Sequence, residues 1–159
     1  MKKILTSTYK VRFQDCDPFN HLNNARYLEY FINAREDQLL ENYQFDIFEI
    51  MRRQGLSWVV ATNQISYFKP ASTMETITID SQLIAYTPKS VQVEMRMWDE
   101  KKSELKALLW SNFIHFDLKT QKTLVHSPEF ARLFEDILLP VEETNFEDRR
   151  TSFFKQKPV

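Results

Sequence analysis

Apolar and polar residues alternate over residues 8–14, where Tyr9, Val11 and Phe13 are separated by polar side chains. This period of two predicts a half-buried β-strand. From about residue 23 to residue 41 the spacing becomes helical, and the segment contains neither glycine nor proline. Its stripe comprises Ala25, Leu28, Phe31, Ile32, Arg35 and Leu39, widened by Tyr27 and Ala34. The pattern predicts a long helix with Asn23 as its N-cap.

Four further strands are predicted between residues 57 and 116. They cover residues 57–68, 75–86, 90–99 and 104–116, and short polar or proline-containing turns separate them. The third strand is the most regular, since Val91, Val93, Met95 and Met97 alternate with polar Gln92, Glu94 and Arg96. The fourth has apolar residues on both faces, which is typical of a central strand or of a strand at an interface.

Two short helices complete the pattern. One covers about residues 45–53 and ends at Gly55, and the other runs from Ser127 to about residue 138 with Pro128 in its first turn. This order of elements predicts an α+β domain, in which an antiparallel meander packs on and wraps around one helix. We assign a single domain to residues 1–140 and expect residues 141–159 to form a charged, irregular tail.

Composition and charge exclude several functional classes. The 159-residue chain has 21 basic and 22 acidic residues, a net charge of -1, which argues against nucleic acid as a partner. It has one glycine where a usage of ~7% would give about 11, which excludes glycine-rich phosphate loops and nucleophile elbows. One cysteine, Cys16, allows neither an internal disulfide nor a Cys-pair zinc site. Without a membrane-spanning apolar run or a signal peptide, we expect a cytoplasmic protein.

The densest cluster of reactive side chains lies between the first strand and the long helix, in residues 15–24. It contains two carboxylates, one imidazole and three carboxamides, namely Asp15, Asp17, His21, Asn20, Asn23 and Asn24. A carboxylate can attack an acyl carbon or activate water, and unpaired amides at a helix start can stabilise an oxyanion. A polar loop with Asx turns and a helix cap explains the same residues without catalysis, so composition leaves both interpretations open.

The same segment resembles the hotdog-fold acyl-CoA thioesterases, the 4-hydroxybenzoyl-CoA thioesterase-like family. The family pattern Asp-x-Asp-x-x-x-His-x-Asn-Asn-x-x-Tyr is matched by Asp15, Asp17, His21, Asn23, Asn24 and Tyr27, and residues 65–71 are similar to its strand ending in Tyr-x-x-Pro-Ala. Relatives often have Gly-Asp after that pair, where this chain has Met74 and Glu75. The resemblance covers about residues 5–138. It implies the hotdog fold, an antiparallel β-sheet wrapped around one long central α-helix.

The resemblance implies catalytic roles for residues of this loop. Asp17 would be the nucleophile or the general base for water, and backbone amides near Asn23 and Asn24 would polarise the thioester carbonyl. His21 and Asn23 would position the water or the carbonyl, whereas Asp15 would brace the loop. The implied activity is hydrolysis of an acyl-CoA or acyl-carrier-protein thioester.

The resemblance also implies how substrate and partner chains are bound. We expect Asn24, Tyr27 and Lys89 to contact substrate. Lys89 lies at a strand end, where a cation could meet the phosphates of coenzyme A, although a solvated turn lysine is an equally good explanation. Because hotdog sites lie between two protomers, a homodimer or homotetramer is implied.

Two other functions are compatible with a hotdog fold. A dehydratase uses a histidine and a carboxylate placed differently, and this sequence contains no such pattern. A non-catalytic hotdog protein that binds acyl-CoA or acts as a scaffold is the main alternative. The combination of Asp17, His21 and Asn23 argues against it, because a pure scaffold does not need those residues together.

We expect neither a cofactor nor a metal. Asp15, Asp17 and His21 could approach a cation, but hard-cation sites recruit more oxygen ligands than this segment offers. Of the two remaining histidines, His115 is predicted to be structural, because it lies in the strand with two apolar faces. His126 precedes a predicted helix and is expected at the surface.

Overall fold

The computed structural model describes residues 1–155, in which six β-strands and four α-helices are found. The strands are β1 (Leu5–Lys10), β2 (Leu56–Tyr67), β3 (Thr76–Tyr86), β4 (Ser90–Asp99), β5 (Leu105–Asp117) and β6 (Lys122–Thr123). The helices are α1 (Tyr27–Tyr43), α2 (Ile47–Gln54), α3 (Pro128–Ile137) and α4 (Phe146–Lys155). Short 3-10 helices at Phe13–Asp15 and Asn24–Arg26 flank the loop between β1 and α1. No helix in this part of the chain is long and apolar enough to cross a membrane.

The strands form one antiparallel sheet that curls around α1. Five of them follow the order β1-β3-β4-β5-β2, and β6 pairs with the end of β5. On the concave side, Tyr27, Phe31 and Ala34 of α1 are 2%, 0% and 0% exposed and belong to the main hydrophobic core. A long helix enclosed by an antiparallel sheet confirms the predicted α+β hotdog fold.

The pairing of the strands corrects the predicted meander. β3, β4 and β5 are sequential neighbours, but β2 pairs with β5 instead of β3. Residues 68–75 therefore cross from one edge of the sheet to a strand near the other edge. On the way, Ala71 accepts a backbone hydrogen bond from Leu22 at 2.7 Å, so this crossing lies against the loop after β1.

Local capping explains where the helices begin and end. The side chain of Asn23 accepts a hydrogen bond from the Ala25 amide at 2.9 Å, at the start of the turn that leads into α1. Asp46 caps α2 and Ser127 caps α3 in the same way. α2 ends at Gly55, whose φ of 68° lies in the left-handed region that favours glycine. The predicted starts and ends of these helices are thus confirmed within a few residues.

The first strand ends earlier than the alternation predicts. β1 stops at Lys10, because the Arg12 amide donates to the hydroxyl of Tyr30 on α1, at 3.0 Å, instead of to a neighbouring strand. Phe13 then lies in a 3-10 turn and is 75% exposed, so its predicted burial is wrong. Val11 is fully buried, as predicted.

The C-terminal segment is not irregular, since α4 lies across the outer face of the sheet. Phe146 of α4 packs with Ile84, Leu108 and Trp110 in a second buried cluster. This corrects the expectation of an irregular tail over residues 141–159, of which residues 156–159 lie outside the described part of the chain. It also explains the two apolar faces of β5, a central strand whose second face is covered by its own chain.

The same outer face buries charges that the alternation in β4 placed on a polar surface. Glu94 is 0% and Arg96 is 6% exposed. Arg96 forms ion pairs with Glu94 and with Asp80 of β3, the latter at 2.5 Å. The alternation therefore predicts correctly which residues of β4 share a face. It does not show that the polar face is also buried.

The scarcity of glycine has a local consequence in the turns. Within residues 1–155, five residues other than glycine adopt positive φ, namely Asn20, Gln44, Met74, Lys102 and Gln121. Met74, with φ of 66°, lies where the resemblance to the thioesterase family implies glycine. The left-handed conformation costs a residue with a Cβ atom roughly 1 kcal/mol, so this turn is strained in the present chain.

Candidate functional site

A depression of about 230 Å³ lies where the loop after β1, the start of α1 and the end of β2 meet. Four of the predicted site residues line it, namely Asp17, His21, Asn24 and Tyr27, together with Leu22, Tyr67, Phe68, Lys69 and Pro70. The two sequence motifs, which are about 40 residues apart in the chain, are therefore neighbours in space. Asn23 and Lys89 are not among the residues that line it.

The backbone of its own loop holds the Asp17 carboxylate. Oδ1 accepts hydrogen bonds from the amides of Phe19, at 2.9 Å, and His21, at 3.2 Å. The Asp17 amide in turn donates to the His21 carbonyl at 2.8 Å, and Asn20 makes the turn possible with a φ of 62°. Among residues 1–155 both hydrogen bonds to the Asp17 carboxylate are to Oδ1, which leaves Oδ2 for a water or a thioester carbon.

Asp15 braces this loop against α1. Its Oδ2 accepts a hydrogen bond from the Tyr30 hydroxyl at 2.6 Å, and its carbonyl accepts one from the Asn23 amide at 2.9 Å. Burial and the hydrogen bond to Asp15 raise the pKa of Tyr30 to about 12, so this phenol stays a donor at neutral pH. Within the described residues no three His, Cys, Asp or Glu side chains are grouped to hold a metal ion.

The start of α1 lines the depression with Asn24 and Tyr27. Asn23 contributes the cap to Ala25, so its side-chain oxygen is already used in holding the helix start. The Asn24 carbonyl accepts a hydrogen bond from the Tyr67 hydroxyl at 3.1 Å, which fixes the start of the helix to the end of β2. Amides in the first turn of a helix lack partners within the helix and attract negative charge.

Tyr27 forms the buried side of the depression. Its hydroxyl accepts a hydrogen bond from the Ala71 amide at 3.4 Å, and its ring meets that of Tyr67 edge-on with centroids 5.0 Å apart. Burial raises the pKa of both tyrosines. The two rings thus connect the helix start, the end of β2 and the crossing segment into one wall.

The structure does not bring Lys89 to this depression. Lys89 lies in the turn between β3 and β4, where its amide donates to Thr87 Oγ1 at 3.3 Å. The loop after β1 lies near the opposite end of that hairpin, where Val11 bonds to Glu75. The cation that does line the depression is Lys69, which forms an ion pair with Glu104 at 2.6 Å. Lys69 belongs to the second motif, so the sequence contained a signal for it.

The two other histidines lie together beneath Trp58. His115 is 1% exposed, its Nδ1 lies 3.1 Å from the Leu124 carbonyl, and within residues 1–155 its Nε2 has no hydrogen-bond partner. The structural role predicted for His115 is confirmed by this burial. His126 is 7% exposed and accepts a hydrogen bond from Trp58 Nε1 at 3.1 Å, so the prediction of a surface histidine is wrong.

A larger cavity of about 310 Å³ lies between α1, α2, α3 and the concave face of the sheet. Among the described residues, those that line it are aliphatic or aromatic except for Arg35, Glu36 and Ser57. Trp58 is part of its wall, whereas Asp17, His21 and Asn24 are not. The helical spacing of the sequence predicts Arg35 within the apolar stripe of α1 and indicates no functional role for it.

Residues 11–134 match a family model described as the thioesterase-like superfamily. The chain belongs to this superfamily. It is 36% identical over 129 residues to the long-chain acyl-CoA thioesterase FadM of Escherichia coli (strain K12), an alignment that covers 81% of this chain and 96% of that protein. The family and this relative confirm the predicted thioester hydrolase.

Solved structures show the same fold. The probable thioesterase YbaW from Escherichia coli has a TM-score of 0.72 at 34% identity, covering 85% of this chain and 99% of that one. The protein SAV2348 from Staphylococcus aureus, solved in complex with CoA, has a TM-score of 0.78 at 14% identity, covering 92% and 91% of the two chains. At that identity the likeness concerns the fold alone.

Proposed function

We propose that this protein is an acyl-CoA thioesterase that acts on fatty acyl groups in the depression lined by Asp17, His21, Asn24 and Tyr27. One observation supports the site above all others. The Asp17 carboxylate has one oxygen held by two amides and the other available, beside the start of α1. The activity named for the Escherichia coli relative points to the same substrate class.

In the proposed reaction the ionised carboxylate of Asp17 acts on the thioester in one of two ways. As a general base, it takes a proton from a water whose oxygen attacks the acyl carbon. As a nucleophile, its Oδ2 attacks that carbon and forms an anhydride, which water then hydrolyses. In both routes the C–S bond breaks, the thiolate of coenzyme A leaves and takes up a proton, and the fatty acid is released.

The negative charge that develops on the carbonyl oxygen requires donors. The Asn24 amide would supply one without reorganisation, because the Asn23 cap and the Tyr67 bond to the Asn24 carbonyl fix this turn. The amides of Ala25 and Arg26 already donate to Asn23. His21 would position the water or the carbonyl from the same loop. In this proposal Asn23 is a positioning residue that acts through the helix start.

The second part of the proposal is a homodimer formed along β2. This 12-residue strand pairs with β5 on one side and lies at the edge of the sheet on the other. Val59 and Val60 in its exposed middle are 38% and 48% exposed, and a long edge with apolar side chains tends to pair with another strand. Because Tyr67 ends this strand and lines the depression, the second protomer would lie beside the site. We retain Lys89 as a predicted contact for the phosphates of coenzyme A.

The activity is tested by incubating the protein with acyl-CoA esters of graded chain length and measuring free thiol, with acyl-carrier-protein thioesters as a second substrate set. Asp17→Asn should lower turnover by about 100-fold or more, because an amide can neither attack nor accept a proton. The matched control is Asp136→Asn, an exposed aspartate on α3, which should retain wild-type turnover. Binding of acyl-CoA without thiol release at any chain length would instead identify a non-catalytic binding protein.

The dimer is tested separately by light scattering at micromolar concentration. The expected mass is twice that of the 19.1 kDa chain, or a larger multiple if dimers associate further. A mass of one chain would contradict pairing along β2. Val60→Lys places a charge in the middle of the exposed edge and should shift the mass toward one chain.

A further inference from the structure

The cavity between α1, α2, α3 and the sheet opens at an apolar mouth. Phe48 and Met51 of α2 line this mouth, yet they are 53% and 38% exposed. Deeper in, the lining consists of buried core residues such as Val93 and Phe134. Its volume of about 310 Å³ lies at the lower end of the ~300–1,000 Å³ that is usual for small-molecule sites. The shape and lining suit an aliphatic chain.

One wall of this cavity contains a charge that the described residues do not neutralise. Arg35 is 7% exposed, and its Nη1 donates to the hydroxyl of Ser81 at 2.8 Å. Ser81 donates in turn to the side-chain oxygen of Gln38, at 2.5 Å, so this network is neutral apart from the guanidinium. No ion pair to Arg35 is formed within residues 1–155. Burial lowers its pKa to about 10, as expected for a cation without a carboxylate partner.

The guanidinium has donors to spare for a ligand. It has five N–H groups in a planar fork, which match the two oxygens of a carboxylate. A buried cation without a counter-charge is costly, and an anion that enters the cavity would relieve that cost. The other charged residue of the lining, Glu36, is partly exposed and also lines a separate polar depression with Asp15 and Tyr30. Glu36 therefore has access to solvent that Arg35 lacks.

We propose that the cavity is a binding site for a free fatty acid, with its carboxylate on Arg35 and its chain along the apolar walls. Within one protomer the site is separate from the depression that contains Asp17, since the two share no lining residue. Thioester hydrolysis releases a ligand of this class, so the protein would meet it during turnover. The supply of fatty acid by turnover rests on the proposed function, whereas the binding site itself does not.

The test is calorimetric titration of the full chain with dodecanoate, below its micellar concentration, and with dodecan-1-ol, which has the same chain without charge. Dodecanoate should bind about tenfold more tightly than the alcohol, or better, because of the charge-assisted contact with Arg35. In Arg35→Met this preference should disappear, and Arg35→Lys should retain part of it. The matched control is Arg53→Met on α2, an exposed arginine paired with Glu49, which should keep the wild-type preference.

A second variant covers the case in which Arg35→Met does not fold. Leu133→Trp leaves the charge in place but fills the cavity from α3, and it should weaken dodecanoate binding by about tenfold or more. Equal affinities for acid and alcohol in the wild type, or an unchanged preference in Arg35→Met, would overturn the proposal. Asp17→Asn separates this site from the catalytic one, since it should bind dodecanoate normally whether or not it hydrolyses thioesters. A last probe is an acyl-CoA whose acyl chain ends in a free carboxylate. If Arg35→Met weakened the binding of this acyl-CoA but not that of dodecanoate, the cavity would bind the acyl group of the substrate, and the assignment to a free fatty acid would be wrong.

Discussion

Arg149 of α4 forms a bidentate hydrogen bond with both carboxylate oxygens of Glu94 in β4. Its Nε donates to Oε2 at 2.8 Å and its Nη2 donates to Oε1 at 2.7 Å. Trp110 Nε1 also donates to Oε2, at 2.7 Å, and Glu94 is fully buried. Burial raises the pKa of Glu94, but the Arg149 hydrogen bonds and the charge of Arg96 outweigh it and leave the pKa below its ordinary value. The C-terminal helix is thus attached to the sheet by a charged contact as well as by apolar packing.

Replacing Arg149 by methionine should destabilise the protein by about 2 kcal/mol, because it removes charge-assisted hydrogen bonds to a buried carboxylate. Urea denaturation at neutral pH measures this loss. The matched control is Arg150→Met, which removes a more exposed pair with Glu147 one position along the helix. This variant should lose much less stability than Arg149→Met, because solvent screens an exposed ion pair. Equal losses in the two variants would mean that the contact with Glu94 contributes nothing specific.

The buried histidine pair predicts a pH dependence of stability. Burial and the neighbouring His115 lower the pKa of His126 to about 4, against an ordinary 6.5. Between these values the unfolded chain binds more protons than the folded one, so the free energy of unfolding should fall as the pH falls from about 6.5 toward 4. His126→Gln keeps an acceptor for Trp58 and removes this titration. Denaturation curves measured from pH 6.5 to pH 4 should show that the free energy of unfolding changes less with pH in the variant than in the wild type. A comparison at pH 8 measures any effect of the substitution that does not depend on this titration.

His21 is predicted to act as a neutral group that positions water or the carbonyl. His21→Gln, which keeps a donor and an acceptor, should therefore retain more activity than His21→Ala. Turnover should stay flat above neutral pH, because this mechanism uses no protonated acid. A turnover that falls with rising pH above neutrality in the wild type, but not in His21→Gln, would make His21 a general acid and reverse this assignment.

Asn23 should matter through the helix that it caps. Asn23→Ala removes the acceptor for the Ala25 amide and should lower the free energy of unfolding by about 1 kcal/mol. Asn23→Ser keeps an acceptor and should retain most of both stability and turnover. If Asn23→Ser were as inactive as Asp17→Asn while remaining fully stable, Asn23 would have to contact substrate directly.

Much of the fold could be predicted because local patterns decide it. β4 was predicted with its observed bounds, since its apolar and polar residues alternate without interruption. The crossing of residues 68–75 could not be predicted in the same way, because strand order depends on contacts between distant segments. α4 could not be predicted, because charged residues such as Arg149 lie between its apolar residues Phe146 and Phe153. The sequence does not show that Arg149 pairs with the buried Glu94 of the sheet.

The candidate site shows the same division. Asp17, His21, Asn24 and Tyr27 lie together because one loop and one helix start place them, and that loop is a contiguous segment of sequence. Lys89 is predicted to contact substrate because it lies at the end of a strand. The sequence does not show whether that strand end lies at the same end of the sheet as the depression. Arg35 fits the helical stripe and could not be recognised as a cavity residue, because its surroundings come from three helices and the sheet.

The position of α4 in the chain also bears on biosynthesis. A ribosome completes β3, β4 and β5 before it adds residues 146–155, so the outer face of the sheet forms without its cover. During that interval Leu108 and Trp110 lack the cover of Phe146, and the carboxylate of Glu94 beside them lacks its contact with Arg149. Exposed apolar sheet faces favour association between incomplete chains. Translation that stalls shortly before residue 146 should therefore yield a product that depends on chaperones far more than the finished protein does.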